Sequence, residues 1–171
     1  MSASESVRQI GDRHQKDVVF RNPLQDINKL LTSLLLCALF RNRLDHFLVL
    51  DLFCGCAERG IDHLRMFPNA RLVGIDNSQT AIDSAKQLAK GRNVSDRCLF
   101  IVGDVSVVLR RSVAASDPGV ASPESTAGLI PADMCRRKFL IVEADPFGSP
   151  LPLLGLVRAE LVEAGGVVCL N

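Results

Sequence analysis

The feature that most narrows what this chain can fold into is a short apolar run, Phe47–Phe53 (FLVLDLF), with charge before it and glycine after it. A run this short and without polar alternation predicts a strand buried on both faces, and such strands belong to parallel sheets. The same kind of run recurs at Arg71–Asp76 (RLVGID), Leu99–Val102, Phe139–Ala144 and Gly166–Leu170. Helical stretches are predicted between them. They run from about Arg59 to Met66, from a Ser78 cap to about Lys90, from about Val105 to Ala115, and from Leu151 to Glu163. Ahead of the first strand, Leu24, Ile27, Leu30, Leu31, Leu34, Leu35 and Ala38 recur at helical spacing. They predict a helix from about Gln25 to Phe40, with Asn22-Pro23 as its start signal. Alternation of strand and helix predicts an α/β fold: a Rossmann-like open parallel sheet with helices on both faces. Ligands of such sheets bind beyond the C-terminal ends of the strands. The loops after Phe53, Ile75, Val102 and Ala144 are therefore the places to look.

At 171 residues and 47% hydrophobic the chain is long and apolar enough for one globular domain. Residues 1–17 read as a polar lead and 18–171 as the domain. Asp117–Pro131 (DPGVASPESTAGLIP), rich in Pro, Gly and Ser, reads as a surface insertion. The net charge of +1 gives no overall basic footprint for nucleic acid. Local candidates are Arg41, Arg43 and Arg136-Arg137-Lys138, whose plainer reading is solvated surface charge. Six cysteines are spread without C-x-x-C spacing, so neither a zinc site nor a disulfide framework is expected. An intracellular protein follows, with nucleus, cytoplasm and mitochondrion left open. The polar N-terminus lacks a secretory pattern, and Leu30–Phe40 is too short to span a bilayer.

The strand ends carry the candidate chemistry. After the first run, small residues at Gly55, Ala57 and Gly60 let backbone approach a ligand beside a helix N-terminus, and Asp51 and Arg59 lie in the same segment. Asp76 closes the second run, where a carboxylate can accept both hydroxyls of an adenosine ribose. That ribose is shared by NAD and S-adenosylmethionine, so Asp76 does not separate them. Asp104 could meet the adenine amine or simply cap a helix. The most specific feature is Glu143-Ala-Asp145-Pro146-Phe147-Gly-Ser-Pro. An exocyclic amine on a base is a poor nucleophile because its lone pair is conjugated with the ring. A carboxylate and a backbone carbonyl that take its two N–H bonds turn the lone pair outward. Asp145 and the Pro146 carbonyl fit those roles, and Phe147 is suited to stack on the base.

The segments VVFRNPLQDINKLLT, VLDLFCGCAERGI, LVGIDNS, IVEADPFGSP and GGVVCL together resemble the tRNA (guanine(26)-N2)-dimethyltransferases. The match covers most of residues 18–171, and Asp-Pro-Phe-Gly-Ser-Pro is its most specific block. The resemblance implies a class I methyltransferase fold, S-adenosylmethionine as cofactor and tRNA as RNA partner, with one or two methyls added to a guanine 2-amino group. It needs no metal and no membrane. By position it implies cofactor contacts at Lys29, Arg59 and Asp76, adenine-side contacts at Asp104 and Val105, and catalysis at Asp145. The sequence departs from the family pattern in several places. Lys29 stands where an Arg is usual, Leu30 where an acid is usual, and Ala57-Glu58 where Gly and an apolar residue are usual, while Asn28 matches. Family members also continue past the fifth strand, so the resemblance implies a sheet incomplete at its C-terminal edge, with a fragment, a truncated gene model or a degenerate copy as the alternatives.

Two other functions fit part of the pattern. An NAD-dependent oxidoreductase accounts for Gly55, Ala57, Gly60 and Asp76 but not for the Asp145 block. A degenerate domain kept for binding accounts for the departures at Lys29, Leu30 and Ala57.

Overall fold

The computed structural model describes residues 26–117, 128–146, 155, 157 and 161–170. Helix α1 (Asp26–Phe40) leads into β1 (Phe47–Leu52), α2 (Glu58–Met66), β2 (Ala70–Asp76) and α3 (Gln79–Gly91). A short turn of helix precedes β3 (Cys98–Val102), followed by α4 (Val105–Ser116), α5 (Ala132–Arg137), β4 (Phe139–Ala144) and β5 (Val162–Leu170). The strands form one sheet in the order β3-β2-β1-β4-β5, with every pairing parallel.

Alternation within each strand divides the core between two faces. Leu48, Leu50 and Leu52 of β1 point to the side covered by Val108 and Leu109 of α4 and Cys135 of α5. Phe47 and Val49 point to the other side, against Leu36 and Phe40 of α1, Ile61 and Leu64 of α2, and Ala85 and Ala89 of α3. Ser78 caps α3, its Oγ accepting the Ala81 N–H at 3.2 Å, as its sequence position predicts.

The predicted surface insertion is corrected at its C-terminal end. Residues 118–127 lie outside the described residues, but Leu129 and Ile130 are buried, and the Ile130 N–H donates to Ser112 Oγ at 2.9 Å. Pro131 then opens α5, a helix of six residues, too short for periodicity to reveal. Strand β5 begins at Val162, inside the predicted helix 151–163. Its pairing with β4 shifts between Phe139↔Val162 and Ile141↔Val167, and Gly165, at φ +81°, sits within the extra stretch. The rest of that predicted helix falls largely outside the described residues, with helical geometry at 155, 157 and 161.

On α1 the helix stands where its spacing predicts, but the face is turned. Ile27, Leu30, Leu31, Leu34 and Leu35 are more than half exposed, while Leu36 and Phe40 are buried. Apolar residues run around most of LLTSLLLCALF, broken only at Thr32 and Ser33, so the segment supplies a helical period without marking which side meets the sheet. None of the described helices is long and apolar enough to cross a membrane.

Candidate functional site

The strand order reverses between β1 and β4, and in open α/β sheets ligands bind beyond the C-terminal strand ends at such a point. Leu52 pairs with Ala144, so the loop leaving β1 at Phe53 and the segment leaving β4 at Asp145 start side by side.

The β1–α2 loop is tightly wound. Phe53, Gly55 and Ala57 all have left-handed backbone, at φ +57°, +53° and +55°. Only glycine takes that conformation without steric cost, and each of the other two stores roughly 1–2 kcal/mol. Asp76 braces the loop: its Oδ2 accepts the Gly55 N–H at 2.9 Å and its Oδ1 accepts the Ser78 N–H at 2.9 Å. The Cys54 N–H donates to the Ile75 carbonyl at 3.0 Å, tying the same loop to β2. Each Asp76 oxygen has capacity for a further hydrogen bond, and the residue is half-buried at the end of β2. The position predicted to accept ribose hydroxyls therefore also builds the loop.

Beneath the loop lies a buried group of charged side chains. Asp51 is buried and its Oδ2 accepts the Gly60 N–H at 3.3 Å. Burial, with Glu143 alongside, pushes its carboxyl well above the ordinary range. His63 Nε2 and Glu143 Oε1 are 2.7 Å apart, and Arg59 Nη1 lies 3.7 Å from Glu143 Oε2. Burial acts to raise the Glu143 carboxyl, yet it is held below the ordinary range by His63, Arg59 and the Cys169 thiol. Both terminal nitrogens of Arg59 are buried and make no hydrogen bond among the described residues. Asp51 thus serves chiefly to anchor the start of α2, while Arg59 retains donors for an acceptor. The sequence alone assigns Glu143 no role beyond opening the Asp145 block and gives no sign of His63, although for Glu143 a signal is present. FLVLDL and FLIVEA each carry one acid, at the same place in an otherwise apolar strand, and these two acids are register partners.

The remaining predicted residues are placed as follows. Lys29 Nζ pairs with Glu58 Oε2 at 2.8 Å at the first turn of α2. Asp104 is the N-cap of α4, its Oδ1 accepting the Val107 N–H at 3.0 Å, which is the simpler of its two predicted roles. Val105 buries its side chain in the core, leaving its backbone N–H in the first turn of α4 as its polar group. Asp145 and Pro146 are half-buried beside the β1 loop, and Phe147 lies outside the described residues. Of the basic candidates, Arg43 is spent on Asp45 and Glu163, and Arg137 donates to the His46 carbonyl.

A family model described as a methyltransferase domain matches residues 45–116. A tRNA (guanine(26)-N(2))-dimethyltransferase of Methanococcus aeolicus is 24% identical over 164 residues, spanning 92% of this chain and 37% of its own length. The chain thus spans little more than a third of this curated relative, and the resemblance seen in the motifs holds along nearly all of it. Among solved structures, a SAM-dependent methyltransferase from Thiobacillus denitrificans in complex with S-adenosyl-L-homocysteine is 25% identical at a TM-score of 0.53, covering 84% of this chain and 47% of that one. A SAM-dependent methyltransferase from Agrobacterium tumefaciens superposes at a TM-score of 0.63 with 18% identity, covering 88% of this chain and 45% of that one. The five-stranded parallel sheet with its helices is the Rossmann-like fold of the class I methyltransferases.

Proposed function

We propose, with the class I methyltransferase fold as premise, that this chain binds S-adenosylmethionine at the ends of β1 and β2 and presents Asp145-Pro146 to the N2 amine of a tRNA guanine, of the position-26 type. The observation that carries the reading is the juxtaposition at the strand-order reversal: the Asp76-braced loop on one side and the Asp145-Pro146 segment on the other.

The residues present fit that cofactor. Asp76 has acceptor capacity on both oxygens for ribose hydroxyls. Among the described residues the buried Nη1 and Nη2 of Arg59 make no hydrogen bond, and these donors suit a carboxylate. The backbone N–H groups opening α4 at Asp104-Val105 suit an adenine edge. When bound, the cofactor supplies an activated methyl on a sulfonium, so no metal is required.

The chain's own groups supply orientation. The Asp145 carboxylate accepts one N–H of the amine and the Pro146 carbonyl accepts the other, which frees the nitrogen lone pair. Proline fixes the backbone so that its carbonyl stays in place. Phe147, next in the sequence, is suited to stack on the base, which must leave its own stack to enter the site. The names of the relatives support tRNA as the substrate. Asp145→Ala tests the assignment: methyl transfer to tRNA is lost while S-adenosylhomocysteine affinity stays within about 2-fold, under 0.5 kcal/mol. Full transfer by that variant contradicts it.

A further inference from the structure

We infer that Glu143 and His63 are positioning residues that set the Arg59 guanidinium for the cofactor and tie the cofactor loop to the strand bearing Asp145. The inference rests on the methyltransferase reading above and extends it to two residues that touch neither cofactor nor base.

The geometry carries it. Glu143 lies on β4, two positions before Asp145, and is 1% exposed. One oxygen meets His63 Nε2 at 2.7 Å and the other faces Arg59 Nη1 at 3.7 Å, so a single carboxylate reaches two side chains, at the first turn and in the middle of α2. The Cys169 thiol of β5 donates to the same carboxylate. Asp51 of β1, its register partner, bonds the Gly60 N–H beside Arg59. A buried carboxylate is retained at a net cost unless charge and hydrogen bonds offset its lost hydration. Here both come chiefly from α2, the helix that begins at the cofactor loop. The 3.7 Å separation draws Arg59 toward Glu143 without consuming its N–H donors. That arrangement leaves the guanidinium oriented and available. A role in packing alone requires no such arrangement, since an apolar side chain would fill the site at lower cost.

The test is calorimetric titration of this chain with S-adenosylhomocysteine, with thermal unfolding run on every variant. Glu143→Gln keeps the shape and removes the charge. We expect affinity to fall about 10-fold, and Glu143→Asp to recover most of that loss. In an Arg59→Met background, Glu143→Gln should change affinity less than about 2-fold, because its effect passes through Arg59. A folded Glu143→Gln that binds like the wild type overturns the inference, as do losses that simply add in the two backgrounds. If Glu143→Gln does not fold, His63→Gln is decisive: about 3-fold weaker binding supports the inference and unchanged binding overturns it. Failure of the unsubstituted chain to bind S-adenosylhomocysteine removes the methyltransferase reading itself, and this inference with it.

Discussion

Lys29 Nζ and Glu58 Oε2 form an ion pair at 2.8 Å that joins α1 to the first turn of α2. Both residues depart from the pattern of the family the sequence resembles, and each supplies the other's partner. The acid also lies where the helix dipole favours negative charge. The Lys29 ammonium, which the resemblance places at the cofactor, is turned to a protein carboxylate here.

Glu58→Gln should therefore release Lys29. The pair is partly exposed, so its loss costs at most about 1 kcal/mol of stability. The released ammonium becomes available to a carboxylate ligand, and S-adenosylhomocysteine affinity should rise about 2- to 3-fold, on the order of 0.5 kcal/mol. Calorimetry measures it, and unchanged affinity means that Lys29 does not reach the cofactor.

Gly60 and Gly91 make a matched pair for stability. A Cβ at Gly60 would sit 2.6 Å from Leu72 Cδ1 and 2.9 Å from Asp51 Oδ2, whereas one at Gly91 would meet nothing within 4 Å. Gly60→Ala should destabilise by about 1–3 kcal/mol through overpacking. Gly91→Ala, at the end of α3, should be neutral or stabilising by up to about 1 kcal/mol. Urea unfolding of both variants checks the contrast.

Much of this was legible before any coordinates. Each strand holds a short apolar run legible in the sequence, although β5 begins at Val162, ahead of its own run, and Ser78 and Asp104 cap the helices that follow β2 and β3 because short polar side chains there accept N–H bonds that the helix cannot. What was not legible depended on contacts distant in sequence. The pairing of Glu143 with His63 spans 80 positions. Ile130, in a segment whose composition reads as loop, joins the core cluster that holds Val108 and Leu109 of α4, and its N–H meets Ser112. The face of α1 is set by what the sheet offers, which leucines spread around most of a helix do not encode.

That face of α1 yields a prediction. Leu34 is 59% exposed and Leu36 fully buried. Leu34→Gln should change stability by no more than about 0.5 kcal/mol. Leu36→Ala should cost about 2–5 kcal/mol. Equal costs in denaturant unfolding contradict the placement of the helix.

The two register-partnered acids respond to pH in opposite senses. Glu143 has a depressed pKa in the fold. Its contribution to stability is present above its unfolded value and is lost as pH falls through the folded one. Asp51 has a raised pKa. The folded state binds its proton more tightly, so Asp51 reduces stability progressively as pH rises from its unfolded value toward the folded one. Asp51→Asn should therefore stabilise the protein relative to wild type increasingly as pH goes from acid to neutral. Unfolding free energies measured across that window test the sign.

The central claim is that the braced loop holds S-adenosylmethionine, and the most direct test is calorimetric titration of this chain with S-adenosylhomocysteine, with NAD as control. Binding of S-adenosylhomocysteine alone is expected, lost in Asp76→Ala and retained in Asp145→Ala. Binding of NAD in its place, or S-adenosylhomocysteine affinity untouched by Asp76→Ala, would contradict it.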